Sequence, residues 1–392
     1  MKHISCSLAI GLLSFLLPAI GLAQDTTNKN ALTALLELAS IHCSSQEIEQ
    51  CKDSIEQMKQ TLLRRTPAAA STEEKVTILN SYLFGPDGFT YTKSLDNFEN
   101  VLLPSVVKTK KGNCLGLSCL YLCLGDALGL NLSGAEVPSH FFLILRDGKT
   151  TRNIDMAANG EEKPNSAYCE RFHVSDRLVG KVYLRELTLE ELIATMRGNL
   201  GVAYWKAGQN NKAIELIRTA LKLQKDNPLM WSNLGSFYGS EDRDKEAIEC
   251  FLKAISIDPD QAWFHANLAV VYESAREFQL ASVSYEKAAK LDPELSRNPA
   301  ICKARARTCF IAANQAIQAE KFSLAIRQFE LFVKIAPARD SNIGNAYNNL
   351  AIACYMAKDF KKARINAQMA AENGSPVDKE VSDAIAEALR NQ

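Results

Sequence analysis

The chain has 392 residues, with 45 basic and 45 acidic side chains and a formal charge of zero. That length exceeds one ordinary core and predicts two or more domains. Balanced charge leaves no basic surplus to hold phosphates, which excludes nucleic acid as a partner, and an apolar content of 47% is that of a globular chain.

Lys2 and His3 precede an apolar run from Leu8 to Leu17, and Gly21-Leu22-Ala23 offers small residues before Gln24. Residues 1–23 therefore read as a secretory signal peptide cleaved after Ala23. The run is too short to span a bilayer, and the apolar stretch from Leu115 to Leu130 is short and carries Asp126. The expectation is an exported protein, periplasmic in a Gram-negative source or otherwise extracellular, with no membrane span after cleavage. Cleavage removes Cys6 and leaves ten of the eleven cysteines. Cys43 and Cys51 flank a polar turn and are the best disulfide candidates. Cys302 and Cys309 lie seven apart on one helical face, too far along the axis to bridge.

Residues 24–70 form an N-terminal helical segment, with amphipathic patterns over Ala31 to Ser40 and Gln46 to Arg64 and a Pro/Ala-rich joint from Thr66 to Ala70. A domain over residues 71–190 then opens on a capping box, Ser71-Thr72-Glu73-Glu74, and a helix to about Phe84. Leu95 to Val107 reads as mostly helical, and a further helix starts at Cys114 and ends near Gly129. Phe141 to Leu145 and Thr150 to Ile154 are β-type runs around Asp147-Gly148, a two-residue hairpin signal.

The chemistry concentrates here. In Lys110-Lys111-Gly112-Asn113-Cys114, the thiol sits where a loop becomes a helix, a place that favours thiolate. His140 and Asp155 fall on the hairpin. With Asp147 and Gly148 as the loop, His140 lies directly opposite Asp155, side chains on one face and Cβ atoms about 5 Å apart. A nucleophile, a base and an orienting carboxylate define a Cys-His-Asp acyl-transfer centre of Cys114, His140 and Asp155. The first oxyanion donor is the backbone amide of Cys114. Cys119 and Cys123 lack the close ligand pairs of a zinc site, so neither metal nor cofactor is expected. His173 packs between domains.

From about Glu191 to residue 392 the chain repeats. Leu200-Gly201, Leu234-Gly235 and Leu268-Ala269 recur at a period of 34, with Tyr204, Tyr238 and Tyr272 in step. Ala213, Ala247 and Ala281 mark the start of each second helix, and Ala220, Ala254 and Ala288 its end. This is the tetratricopeptide (TPR) signature of paired helices. A fourth unit, delayed by about ten residues, runs through Ala325, Phe329 and Pro337, and a fifth carries Leu350, Ala363 and Ala370. About five units predict an α-solenoid, a right-handed superhelix with a concave face. Asn199, Asn233, Asn267 and Asn349 each precede the leucine of a first helix, forming a ladder able to pair with the backbone of an extended peptide, a rung that Ile311 breaks in unit four.

The strings Leu79-Asn80-Ser81-Tyr82-Leu83-Phe84, Lys110 through Ser118, Leu120-Tyr121-Leu122 and Val137-Pro138-Ser139-His140-Phe141-Phe142 resemble the transglutaminase-like superfamily, in particular its bacterial SirB-like branch. The resemblance implies an α+β, mainly α chain: a papain-like domain, then the TPR solenoid. It also implies roles for Cys114 as nucleophile, His140 as general base and acid, and Asp155 as the group that orients the imidazole. Ser139-His140 stands where relatives often have Gly-His. Relatives with proline at the Cys114 position have lost the thiol. Two functions follow as expectations: an exported thiol-dependent protease, amidase or transglutaminase whose TPR face recruits a protein or peptide, or a non-catalytic exported scaffold with an inactive domain.

Overall fold

The computed structural model describes residues 30–93, 98–337 and 340–391. The segment read as a signal peptide lies outside them. Helices α1 (Ala31–Ala39) and α2 (Ser45–Arg65) follow the amphipathic patterns, and α2 opens on a Ser44/Glu47 capping box. α3 (Thr72–Phe84) starts at the Ser71/Glu74 box read from the sequence. Leu35, Ile55 and Leu62 of the first two helices are buried in the same core as Leu79 and Leu117. Cys43 and Cys51 are both free thiols, as are all ten cysteines of the described residues. Cys51 is buried within α2 beside this core and serves as a small apolar group.

The helix expected from Leu95 to Val107 is shorter. Among the described residues a single 3-10 turn spans Phe98–Asn100, and α4 covers Leu103–Thr109. Pro104 explains the late start, because proline belongs in a helix's first turn and not in its interior. Strands β1 (Thr90–Tyr91) and β2 (Lys111–Gly112) pair in parallel immediately before α5 (Cys114–Ala127).

A four-stranded antiparallel sheet follows, in the order β3 (Leu132–Val137), β4 (His140–Asp147), β5 (Thr150–Asp155), β6 (Glu161–Lys163). Phe141, Leu143 and Leu145 of β4 pack into the α5 core. Phe142 and Ile144, on its other face, pack with Tyr168 of α6 (Asn165–Phe172). Burial on both faces is why β4 reads as a continuous apolar run rather than an alternating one. The chain after α6 returns along β3, where the N–H of Leu187 donates to the Gly134 carbonyl at 2.8 Å and covers that edge.

The solenoid comprises five helix pairs: α7–α8 (Leu189–Lys206, Asn210–Leu223), α9–α10 (Pro228–Gly239, Asp244–Ile257), α11–α12 (Ala262–Ser274, Phe278–Leu291), α13–α14 (Pro299–Gln318, Phe322–Ile335) and α15–α16 (Ile343–Met356, Phe360–Glu372). The alanines that start and end the second helices are essentially fully buried, as close helix approach requires. The delay in unit four is absorbed by α13, which has 20 residues against 13 in α11. A last helix, α17 (Lys379–Arg390), buries Ile385 against the fifth unit and presents a polar outer face, the form of a terminal cap.

The two parts share side chains. Leu192, Met196 and Leu200 of α7 belong to the same core as α5. Tyr183 donates to Asp258 at 3.0 Å, Arg177 pairs with Asp260 at 3.0 Å, and Gln261 donates to the His173 carbonyl at 3.1 Å. His173 thus contributes its backbone to the junction, while its side chain is exposed.

Candidate active site

Cys114 is the first residue of α5, and three local features fix it. The Asn113 side chain caps the helix, accepting the N–H of Gly116 at 2.9 Å. The N–H of Asn113 donates to the Asn100 carbonyl at 2.9 Å. Gly116 lets that 3-10 turn approach, since a Cβ there would stand 2.4 Å from the Asn100 carbonyl oxygen. The sequence Asn-Cys-Leu-Gly therefore holds the thiol at a capped helix start, half-buried.

His140 opens β4, after a two-residue turn at Pro138-Ser139 that joins Val137 to His140. Ser139 has φ 63°, the left-handed region that favours glycine. Ser139→Gly is accordingly expected to stabilise the fold by about 0.5–1 kcal/mol, read as a raised melting temperature.

The β4–β5 hairpin differs from the expected register. Its loop is Gly148-Lys149, not Asp147-Gly148, so Asp147 pairs with Thr150 and Leu143 with Ile154. Gly148 has φ 59° and takes the first central position of a type II′ turn, which the Asp-Gly reading assigned to Asp147. The shift is two residues, so every side chain keeps its face. His140 and Asp155 become diagonal rather than direct neighbours, and they still meet: His140 Nε2 lies 3.1 and 3.0 Å from the two carboxylate oxygens of Asp155.

Both groups are buried, His140 at 9% and Asp155 at 5% exposure. Asp155 Oδ1 also accepts the Ala157 N–H at 2.9 Å, and Oδ2 the Tyr168 hydroxyl at 3.3 Å. The imidazole stacks on Phe172, with centroids 5.3 Å apart and planes 8° apart, and on Tyr168 at 6.0 Å. With Nε2 committed to Asp155, the other ring nitrogen is the one left for Cys114, which lines the same cavity as the ring.

Burial lowers the His140 pKa, but the Asp155 bond, the Cys114 bond and the two charges outweigh it and raise it to about 9. Burial likewise raises the Asp155 carboxyl, and the His140 bond and charge, the Ala157 N–H and the Tyr168 hydroxyl bring it below the usual carboxylate range. A raised histidine contributes stability that is complete below its unfolded pKa near 6.5 and is lost as pH rises towards 9. A lowered aspartate contributes above its unfolded value near 3.8 and is lost as pH falls below it. The melting-temperature gap between wild type and His140→Ala is thus expected to be widest at pH 5–6.5 and to shrink steadily to pH 9.

Sequence reasoning missed Tyr168, Phe172 and the Ala157 amide, which reach the site from later in the chain without a local pattern. It also missed Glu136, although a charged residue within a buried strand is a signal in itself. Glu136 Oε1 accepts Gln224 Nε2 at 3.0 Å and Asn227 Nδ2 at 2.6 Å, and Oε2 accepts Thr195 Oγ1 at 3.2 Å. These donors come from units one and two, so the carboxylate joins β3 to the solenoid.

A cavity of about 190 Å³ opens beside the thiol, bounded by Cys114, His140 and Glu136 on one side and by Asn199, Asn233 and Trp263 on the other. The first two rungs of the asparagine ladder therefore face the candidate centre. Asn199 Nδ2 donates to the Thr195 carbonyl at 3.0 Å. Asn267 is half-buried on α11 and does not line the cavity. Asn349 donates to Asn314 Oδ1 at 2.8 Å, tying unit five to unit four. Among the described residues no cluster of three or more His, Cys, Asp or Glu side chains is arranged to hold a metal ion. None of their helices is long and apolar enough to cross a membrane.

The fold is a mainly helical chain in which an α+β domain is joined to a helical-repeat solenoid. The model of the transglutaminase-like superfamily matches residues 49–194, and models of the tetratricopeptide repeat match residues 194–227, 238–275 and 264–295. The chain carries a transglutaminase-like domain followed by TPR repeats. No curated protein matches it. Among solved structures, YrrB, described as a TPR protein with an unusual peptide-binding site, is 18% identical with a TM-score of 0.33, covering 50% of this chain and 92% of its own. The Arabidopsis OM64 TPR domain is 22% identical with a TM-score of 0.29, covering 30% and 96%. The first TPR of RPAP3, solved with an HSP90 peptide, is 17% identical with a TM-score of 0.29, covering 33% and 95%.

Proposed function

We propose that this chain is an exported thiol acyl-transfer enzyme of protease, amidase or transglutaminase type, acting on protein or peptide amides that the TPR face delivers to Cys114. The observation that carries the reading is the shared cavity, in which Cys114 and His140 face Asn199, Asn233 and Trp263 of the first three units. Two asparagine side chains of a kind that can pair with extended backbone thereby stand beside the proposed nucleophile. Within the superfamily we read the domain as SirB-like, on the strings quoted above, and export on residues 1–23.

The chemistry starts from a thiolate beside a protonated His140. The sulfur attacks the amide carbon, and the carbonyl electron pair moves onto oxygen, where the Cys114 N–H faces it. That N–H is free because the first helical turn has no intrahelical acceptor. Collapse breaks the C–N bond, the departing amine takes the His140 proton, and a thioester remains. Neutral His140 then draws a proton from water or from an amine as that group attacks. The second collapse releases the thiolate and leaves either an acid or a new amide. Asp155 holds the ring orientation and the imidazolium throughout.

The test is to treat the purified chain with p-nitrophenyl acetate and map adducts by mass spectrometry. Acetylation confined to Cys114, released with turnover and absent in Cys114→Ala, is the expected result. Acetylation spread over several thiols at similar rates would favour the non-catalytic scaffold instead.

A further inference from the structure

We infer that the cavity beside Cys114 selects a lysine side chain of the polypeptide substrate, with its ammonium held by the carboxylate of Glu136. The inference rests on the reading of Cys114 as nucleophile and names what enters next to it. Glu136 is 5% exposed, yet it lines the cavity together with two of its donors, Thr195 and Asn227. All three of its protein partners donate to it, which is the complement of an ionised carboxylate.

All three are also neutral. No lysine or arginine is among the described residues lining the cavity. The nearest guanidinium whose charge reaches Glu136 belongs to Arg185, and both of its terminal nitrogens are bound to Glu191. Burial raises the Glu136 carboxyl, and its ionised form is held here by neutral donors alone. A charge so placed costs free energy that an entering cation offsets.

Size and shape select among cations. A carboxylate has about four acceptor sites, and three here are taken. One free site suits an ammonium, whereas a guanidinium fork needs two. Apolar Val101 and Val202 on the wall suit the methylene stem of a lysine, and Trp263 adds an aromatic ring, a group that attracts cations, to the lining. A cavity of about 190 Å³ has room for one such side chain, given that one of roughly 150 Å³ holds a benzene-sized guest.

The experiment measures Cys114 labelling by peptide vinyl sulfones on the full chain. The probes differ at one position only, which holds lysine, norleucine or Nε-acetyl-lysine, and that position is stepped along the peptide. Lysine at one position should label at least about tenfold faster than norleucine, with acetyl-lysine behaving like norleucine. In Glu136→Gln the preference should fall below about twofold. If that variant does not fold, the wild-type comparison decides. Equal rates for lysine and norleucine at every position would overturn the inference and leave Glu136 as a tie between sheet and solenoid. Slow labelling by every probe, and by iodoacetamide, insensitive to His140→Ala, would instead remove the nucleophile reading and the inference with it.

Discussion

His140→Ala is expected to slow acylation of Cys114 by an activated ester roughly 10²- to 10⁴-fold, the range that a positioned general acid–base supplies. The size of the effect follows from how completely the site commits this ring. One nitrogen is bound by Asp155 at 3.0 Å, and the ring plane is set by Phe172 and Tyr168. No other histidine lines the cavity among the described residues, so no substitute base is at hand. The loss should appear with the fold retained, because Asp155 keeps the Ala157 N–H and the Tyr168 hydroxyl. Stopped-flow release of p-nitrophenolate, with circular dichroism as the control for folding, checks it. A rate within twofold of wild type would mean that the imidazole does not serve the thiol. Asp155→Asn should act in the same direction by a different route. An amide cannot stabilise the imidazolium, and it points a donor where Nε2–H already donates.

Glu136→Ala is expected to destabilise the chain by about 3–5 kcal/mol. The change removes one acceptor group and strands three buried donors at once, on Thr195, Gln224 and Asn227. These donors come from α7, the end of α8 and the start of α9, so the damage falls on the seam between β3 and the first two repeats. Burial raises the Glu136 carboxyl, opposed by the Gln224 and Thr195 bonds, so protonation favours the folded chain and this group's share of stability falls as pH rises through its folded pKa. Urea unfolding at pH 7 measures the loss. A change under about 1 kcal/mol would mean that these bonds contribute little, either because water replaces them or because the donors turn to other partners.

The repeats were legible because each unit contacts its neighbours alone, so periodic local features carry the whole architecture. Ala213, Ala247 and Ala281 mark helix crossings in the sequence as clearly as in the structure. The helix-start thiol was legible for the same reason, since Asn113, Cys114 and Gly116 act within one turn. The hairpin was half legible. Its faces followed from strand alternation, whereas its register depended on which central turn position Gly148 takes, and a II′ turn moved it by two.

What the sequence hid is mostly non-local. Tyr168 reaches Asp155 from 13 residues away through a helix of its own. β3 carries a glycine and a glutamate, and β6 is the charged run Glu161-Glu162-Lys163, so neither shows an apolar alternation. The sharing of one cavity by Cys114 and Asn199 depends on how α7 seats in the domain core. That packing has no periodic signature. Asn267 and Asn349 look equivalent to Asn199 in sequence, yet neither lines that cavity.

The central claim is that Cys114, His140 and Asp155 form one coupled centre, and the titration of His140 tests it most directly. Imidazole resonances followed by NMR from pH 5 to 10 should show His140 protonated through neutrality with a midpoint near 9. The midpoint should be lower in Cys114→Ala and lower in Asp155→Asn, each replacement removing one of the groups that raise it. A midpoint at or below 6.5 in wild type, unmoved by either replacement, would contradict the account, because burial alone would then govern a histidine with no coupling to thiol or carboxylate.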